Sequence, residues 1–179
     1  MMPLVVLSVI VGLLLAETRV SAANDRALRA RGAVVPAGDV YRAMAIAYPA
    51  SFIAMGLEGA WRASTSPGTG AMGPSFFASG VLLFAASKFL KYWAIGALRD
   101  RWTFRVLVVP GEPLVSTGPY RYVAHPNYIA VVGELAGTAM MMEAWVSGPL
   151  ALAVFGTLLW RRVTFETDAI RQAYLSNKS

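Results

Sequence analysis

The sequence predicts an all-α integral membrane protein with about five transmembrane helices, the last two joined in a tight C-terminal helical hairpin. Three observations carry that expectation. Hydrophobic residues make up 56% of the 179-residue chain and the mean hydropathy is +0.53, too apolar for an ordinary soluble domain. The surplus falls in long blocks separated by polar connections, the pattern a bilayer imposes. The arginines crowd alternate connections, as they do when topology sorts them between the two sides of a membrane. A chain of this length makes a single domain, 1–179.

The first block, MPLVVLSVIVGLLLA at 2–16, has no basic segment before it and is followed by Glu17 and Arg19 instead of a small-residue cleavage site. It reads as a retained helix over about 2–23 rather than a secretion signal. The second helix is expected at 43–59 and the third at 75–98, the third reaching the ~20 residues that a spanning helix needs. The fourth, 127–146, opens directly after the His125-Pro126 step. The fifth is apolar only from Pro149 to Trp160, so it is expected to leave the membrane and run on to about 174. Between the two, VSGP at 146–149 signals a turn with proline in the first turn of the next helix. Gly133 and Gly137, four apart on the fourth helix, permit close approach of a neighbouring backbone.

The charges fix an orientation. The connection after the first block holds Arg19, Arg26, Arg29, Arg31 and Arg42, while the next holds only Arg62. The third holds Arg99, Arg101, Arg105 and Arg121, the hairpin turn holds none, and the tail holds Arg161, Arg162, Arg171 and Lys178. This alternation puts the first and third connections and the C-terminus in the cytoplasm, with the N-terminus outside.

Composition excludes several chemistries. There is no cysteine, hence no disulfide framework, thiolate metal site or cysteine nucleophile. A single histidine excludes a centre built on several imidazoles, and no metal is expected. The net charge of +6 comes from arginines flanking the apolar blocks rather than from a separate basic face, so nucleic acid is not an expected partner. GTGAMG, 68–73, has the spacing of a dinucleotide-binding loop, but no strand precedes it and Pro74 follows it. It reads as a loop on the outer side.

Polar groups at membrane depth are costly, which makes each a candidate for function. Glu58 and Glu143 lie near outer helix ends, within reach of interfacial water. Lys88 and Lys91 lie in the inner half of the third helix, close enough to the interface to snorkel. Glu134 lies roughly 10 Å along the fourth helix from its start. It needs a partner, and the hairpin returns Arg161 and Arg162 to the same face. Such a pair would lock the last two helices together; alternatively the glutamate faces a ligand. GPYRYVAHPNYIAVVGE, 118–134, leads up to it with the only histidine, two X-Pro steps and three tyrosines. Proline fixes the chain without a backbone donor, and tyrosine joins an apolar body to a polar tip, so this loop makes a rigid, aromatic-walled cup. A histidine alone is more often a hydrogen-bonded structural residue. In this cup His125 becomes a candidate ligand contact.

The segment RWTFRVLVVPGEPLVSTGPYRYVAHPNYIAVVGE, 101–134, resembles the isoprenylcysteine carboxyl methyltransferase family, its bacterial members in particular. Phospholipid methyltransferases belong to the same wider group. The hallmarks are a GPYRYVRHPNY-like segment, a glutamate in the following helix and a later helix with an R-x-x-x-E-E-like ending, here RRVTFETD. The resemblance implies an integral membrane methyltransferase that uses S-adenosylmethionine, with a cytoplasmic cofactor pocket formed within about 101–174. It further implies a bacterial inner membrane as the location and membrane lipids as neighbours. Carried over by position, the cofactor-binding residues are Tyr120, His125, Pro126, Asn127, Tyr128, Glu134, Arg162 and Glu166. Glu134, Arg162 and His125 are the implied catalytic residues. Ala124 stands where the family usually has arginine, and Thr167 where it has a second glutamate, with Asp168 next.

The residue types suit such a ligand. Tyrosine faces and a carboxylate suit a sulfonium and an ammonium, while an imidazole and an arginine suit a carboxylate. Ribose hydroxyls are readily held by a carboxylate such as Glu166. The acceptor implied is the polar head of a lipid-like molecule entering from the bilayer: a prenylcysteine carboxylate, or a phenolic or pyrone hydroxyl. A carboxylate acceptor needs no general base, whereas a hydroxyl would benefit from one, such as His125. Other readings of the chain are a phospholipid N-methyltransferase, an NADPH-dependent membrane reductase and a membrane scaffold without catalysis.

Overall fold

Residues 2–35, 38–65, 73–109 and 112–176 are described by the computed structural model, with side chains through 166. Five long helices follow one another in them: α1 (Met2–Ala30), α2 (Tyr41–Thr65), α3 (Gly73–Leu98), α4 (Pro126–Met142) and α5 (Ser147–Ser176). Two 3₁₀ turns, Arg99–Arg101 and Gly118–Arg121, punctuate the long connection from α3 to α4. No strand occurs among the described residues; the only extended pairing among them is an isolated antiparallel bridge, Val34 with Val108. Of GTGAMG only Gly73 is described, and Lys178 lies outside the described residues. The side chains of Thr167, Asp168 and Arg171 lie outside them as well.

α1, α2 and the stretch Gly73–Arg101 are each long and apolar enough to cross a membrane. α1 runs on to Ala30 instead of stopping near 23, because 17–30 is rich in good helix formers. Gly32 then ends it at φ +84, and the Ala33 N–H reaches back to the Leu28 carbonyl at 3.0 Å. α2 extends to Thr65 rather than 59 and carries Pro49 in its interior. α4 stops at Met142 rather than 146. Glu143 there adopts a left-handed backbone (φ 48), its N–H turned onto the carbonyls of Ala139 and Met140.

That early stop moves the hairpin turn to 143–146 and leaves Pro149 in the first turn of α5, where a missing N–H costs nothing. Glu58, expected within reach of interfacial water, also has a structural task. Its carboxylate, on α2, accepts the N–H groups of Val146 (3.1 Å) and Ser147 (2.7 Å) and the Ser147 hydroxyl (2.6 Å). A carboxylate suits the positive end of a helix dipole. α2 thus caps α5.

In a bilayer, lipid tails are as apolar as leucine, so helices associate through close packing and polar contacts rather than through apolar burial. The α3–α4 seam follows that rule. A Cβ placed on Gly137 would sit 2.8 Å from the Gly80 carbonyl, and one on Gly133 would sit 2.1 Å from the Ser87 Oγ. Gly137→Ala must push the two backbones apart and is expected to destabilise the protein by about 1–3 kcal/mol. A lowered thermal midpoint in detergent, with Gly12→Ala on the open face of α1 as a neutral control, checks this. Around the seam, Tyr48, Phe52 and Met55 of α2 pack with Val131 and Leu135 of α4 and Phe155 of α5. Large apolar residues such as Leu4, Ile46, Leu82 and Phe89 point outward, exposed.

Candidate functional site

A cavity of about 890 Å³ lies among α1, α2, the 101–115 connection and the facing parts of α4 and α5. His125 precedes α4 as its N-cap and Pro126 occupies the first helical position, so His125 and Tyr128, three apart, share one face. Their rings stack at 5.3 Å, 15° from parallel. Arg162 and Glu166, one turn apart on α5, meet them. The Tyr128 hydroxyl donates to Glu166 Oε2 at 2.6 Å and accepts from Arg162 Nε at 3.2 Å. His125 Nδ1 lies 3.8 Å from the same carboxylate oxygen.

Arg162 is buried, whereas Arg161 is exposed. The rest of its guanidinium is committed to the protein: it donates to Asp39 Oδ1 at 2.8 Å and to the Phe104 carbonyl at 2.6 Å. Asp39 in turn accepts the N–H groups of Tyr41 (3.1 Å) and Val106 (3.3 Å). Arg162 therefore ties α5 to the α1–α2 connection and to the extended segment that roofs the cavity. Two further polar groups are open to a ligand. Asn127 Oδ1 is buried without a hydrogen-bond partner among the described residues. The Tyr120 hydroxyl also lines the cavity; burial, then the nearby Glu166 charge, pushes its pKa up, so it stays a neutral hydroxyl.

A second polar cluster lies deeper. Glu17 of α1, Lys88 and Lys91 of α3 and Glu134 of α4 form a quartet of two cations and two carboxylates. Lys88 Nζ is 2.6 Å from Glu17 and 3.0 Å from Glu134; Lys91 Nζ is 3.2 Å from Glu17 and 2.8 Å from Glu134. The Tyr48 hydroxyl donates to Glu134 and accepts from Lys91 at 3.2 Å. The expectation that the lysines snorkel is therefore overturned, and so is the pairing of Glu134 with Arg161 or Arg162. The reason is local. Lys88 and Lys91, three apart, share one face of α3, and the glycine seam draws that face onto α4. A carboxylate in an apolar surrounding takes the nearest cations, because an unpaired charge there is very costly.

Of the residues singled out in the sequence, Tyr120, His125, Asn127, Tyr128, Arg162 and Glu166 line the cavity. Pro126 is buried beneath it as the first residue of α4. Glu134 does not line it and meets it only through Tyr48 and Lys91, which do. Sequence reasoning missed Asp39, Glu17 and Tyr48. A balance of two acids against two lysines inside apolar blocks was the available signal for Glu17.

Residues 80–172, just over half of the chain, match the isoprenylcysteine carboxyl methyltransferase (ICMT) family. The chain belongs to this family. ICMT proteins are methyltransferases, and with three helices able to cross a bilayer this member is an integral membrane protein. The uncharacterized protein YpbQ of Bacillus subtilis is 35% identical over 83 residues, 46% of this chain and 49% of that protein. The match thus spans about half the length of that relative. An uncharacterized protein of Haemophilus influenzae is 23% identical over 156 residues, 87% of each chain. No solved structure matches. The ICMT-matching region begins within α3, so it holds Lys88, Lys91, Glu134 and Arg162, while their partners Glu17, Asp39 and Tyr48 come from the helices and connection before it.

Proposed function

We propose that this ICMT-family protein transfers a methyl group from S-adenosylmethionine to the polar head of a lipid-like acceptor at the cytoplasmic face of a bacterial inner membrane. All five helices then lie in the membrane, α5 running on into the cytoplasm, with the N-terminus outside. One observation carries the proposal: a single cavity joins the polar cup of His125, Asn127, Tyr128 and Glu166 to an apolar stretch walled by Val11, Leu15 and Ile53. Those three residues are exposed where they line it, in keeping with entry of an acyl or prenyl chain between α1 and α2.

The residues present fit the cofactor. Asn127 Oδ1 has no donor among the described residues and would take an N–H from an adenine or an ammonium group. Tyr120 and Tyr128 offer ring faces to a cation, and Glu166 suits ribose hydroxyls. When bound, S-adenosylmethionine supplies a methyl group already activated by its sulfonium. What remains for the chain is alignment and exclusion of water. Arg162 holds the cup closed through Asp39 and the Phe104 carbonyl. Glu134 acts from behind, fixing Tyr48 and Lys91 in the cavity wall. His125 stands in the cavity to take the proton of a hydroxyl acceptor.

The cations in the cavity wall, Lys91, Arg101, Arg105 and Arg162, each already lie beside a protein carboxylate. That favours an acceptor with a hydroxyl head over one with a carboxylate. Incubation with methyl-labelled S-adenosylmethionine and a pool of alkyl phenols, pyrones, prenylcysteines and phospholipids is expected to give lipid-extractable label that survives base. Volatile labelled methanol after base would mean a methyl ester and a carboxylate acceptor. No transfer to any acceptor, together with no binding of S-adenosylhomocysteine, would sink the proposal.

A further inference from the structure

A second pocket lies apart from the cup, where α3 ends. About 400 Å³ in volume, it is walled by Gly96, Ala97, Arg99 and Arg101 on one side and by 113–117 on the other. Arg99 has a left-handed backbone, φ 54, a region that glycine enters freely and arginine seldom does. Its carbonyl holds the turn, accepting the Trp102 N–H at 3.2 Å and the Asn24 side-chain amide at 3.1 Å. Its guanidinium is exposed and has no hydrogen bond or ion pair among the described residues.

The nearby carboxylates are spoken for. Arg31 lies 2.6 Å from Asp100 and also pairs with Glu112, which Arg101 meets at 2.9 Å. The charge of Arg99 is therefore left for a ligand. Ser116 and Thr117 line the same pocket, neither with a side-chain partner among the described residues. A guanidinium fork with two hydroxyls is a donor set for phosphate oxygens. Apolar surface adjoins it: Phe89 and Trp93, ring centroids 6.3 Å apart, lie exposed one turn apart along α3, and Leu114 is 70% exposed on the opposite wall. Gly118, at φ +60, brings the loop against Trp93, since a Cβ there would sit 3.3 Å from the indole nitrogen.

We infer that this pocket binds a phosphate-bearing headgroup, held by the Arg99 guanidinium and the Ser116 and Thr117 hydroxyls. The site is independent of the cofactor cup but not remote from it. Arg101, Pro113, Leu114 and Val115 line both pockets, so a bound headgroup braces a wall that the two share.

The test uses the full chain in a phosphate-free, uncharged detergent, titrated separately with short-chain phosphatidylglycerol and with inorganic phosphate. Binding is read by native mass spectrometry. Arg99→Gln and Arg99→Gly both remove the charge, and glycine also suits φ 54, which separates loss of charge from loss of the turn. Arg121→Gln, exposed on the same connection outside the pocket, is the control. Both Arg99 variants are expected to weaken phosphatidylglycerol binding by about fivefold or more, and Arg121→Gln by less than about twofold. Inorganic phosphate binding with the same Arg99 dependence would make free phosphate a ligand; binding of the lipid alone would assign a membrane headgroup. Equal losses in the Arg99 and Arg121 variants, or no loss in any, would overturn the proposal in favour of diffuse surface charge.

Discussion

Lys91→Met in the detergent-solubilised protein is expected to lower its stability by about 3–5 kcal/mol, the usual cost of stranding a buried charge. Lys91 is 1% exposed, as is Glu134, and Glu17 is 2% exposed. Removing the ammonium leaves Glu17 and Glu134 sharing one cation, Lys88, with only neutral hydroxyls such as that of Tyr48 beside them. The loss is not the worth of one ion pair but the desolvation of an uncompensated carboxylate. A second substitution should therefore repair much of the damage. Lys91→Met combined with Glu134→Gln restores a one-to-one balance between Lys88 and Glu17, which touch at 2.6 Å. The double variant is expected to be more stable than Lys91→Met alone, with coupling of about 1 kcal/mol or more in a double-mutant cycle. Thermal midpoints of the four proteins decide it. Strict additivity would show that the quartet is not a unit.

Arg162→Ala is expected to cost a comparable amount, with a different signature. Its guanidinium joins α5 to Asp39, to Tyr128 and to the Phe104 carbonyl, so its loss strands a buried carboxylate and releases the roof of the cavity at once. Asp39 would still hold the Val106 N–H, but with its own counter-charge gone. Amide exchange at Val106, and at Val108 where the roof pairs with Val34 at 3.0–3.1 Å, should accelerate by about tenfold or more, while exchange along the α3–α4 seam stays unchanged. Binding of S-adenosylhomocysteine should fall in parallel. Arg162→Lys should not rescue it, because an ammonium cannot reproduce a fork that reaches three acceptors. Unchanged exchange in the roof would mean that Arg162 does not hold it.

Much of the helical plan was legible in the sequence, because apolar block length and proline and glycine punctuation act locally. The ends of α1 and α4 were not, since a polar but helix-favouring stretch extended one and a left-handed Glu143 cut the other short. The cup was legible for a related reason: His125, Asn127 and Tyr128 are neighbours in the chain, and their order is itself a pattern. The partners of the charged residues were hidden. Glu134 meets a cation on α3 rather than on the adjacent α5, and Arg162 meets Asp39, 123 positions away. Such pairings depend on which helix faces which, a property of the assembled bundle and of no single segment. Glu58 shows the same limit, since its task exists only because the hairpin turn happens to land beside it.

The quartet also sets a problem of timing for the ribosome and the insertion machinery. Glu17 enters the membrane first, and its counter-charge Lys88 is 71 residues further along. At ordinary synthesis rates that interval is roughly 4–14 s. Glu134 follows later still. During the wait α1 carries a lone acid, so it must either linger at the edge of the insertion channel or keep Glu17 in contact with water. Only when α3 arrives with both lysines can the first helix settle fully. A helix from the middle of the chain therefore completes the insertion of the first-made helix.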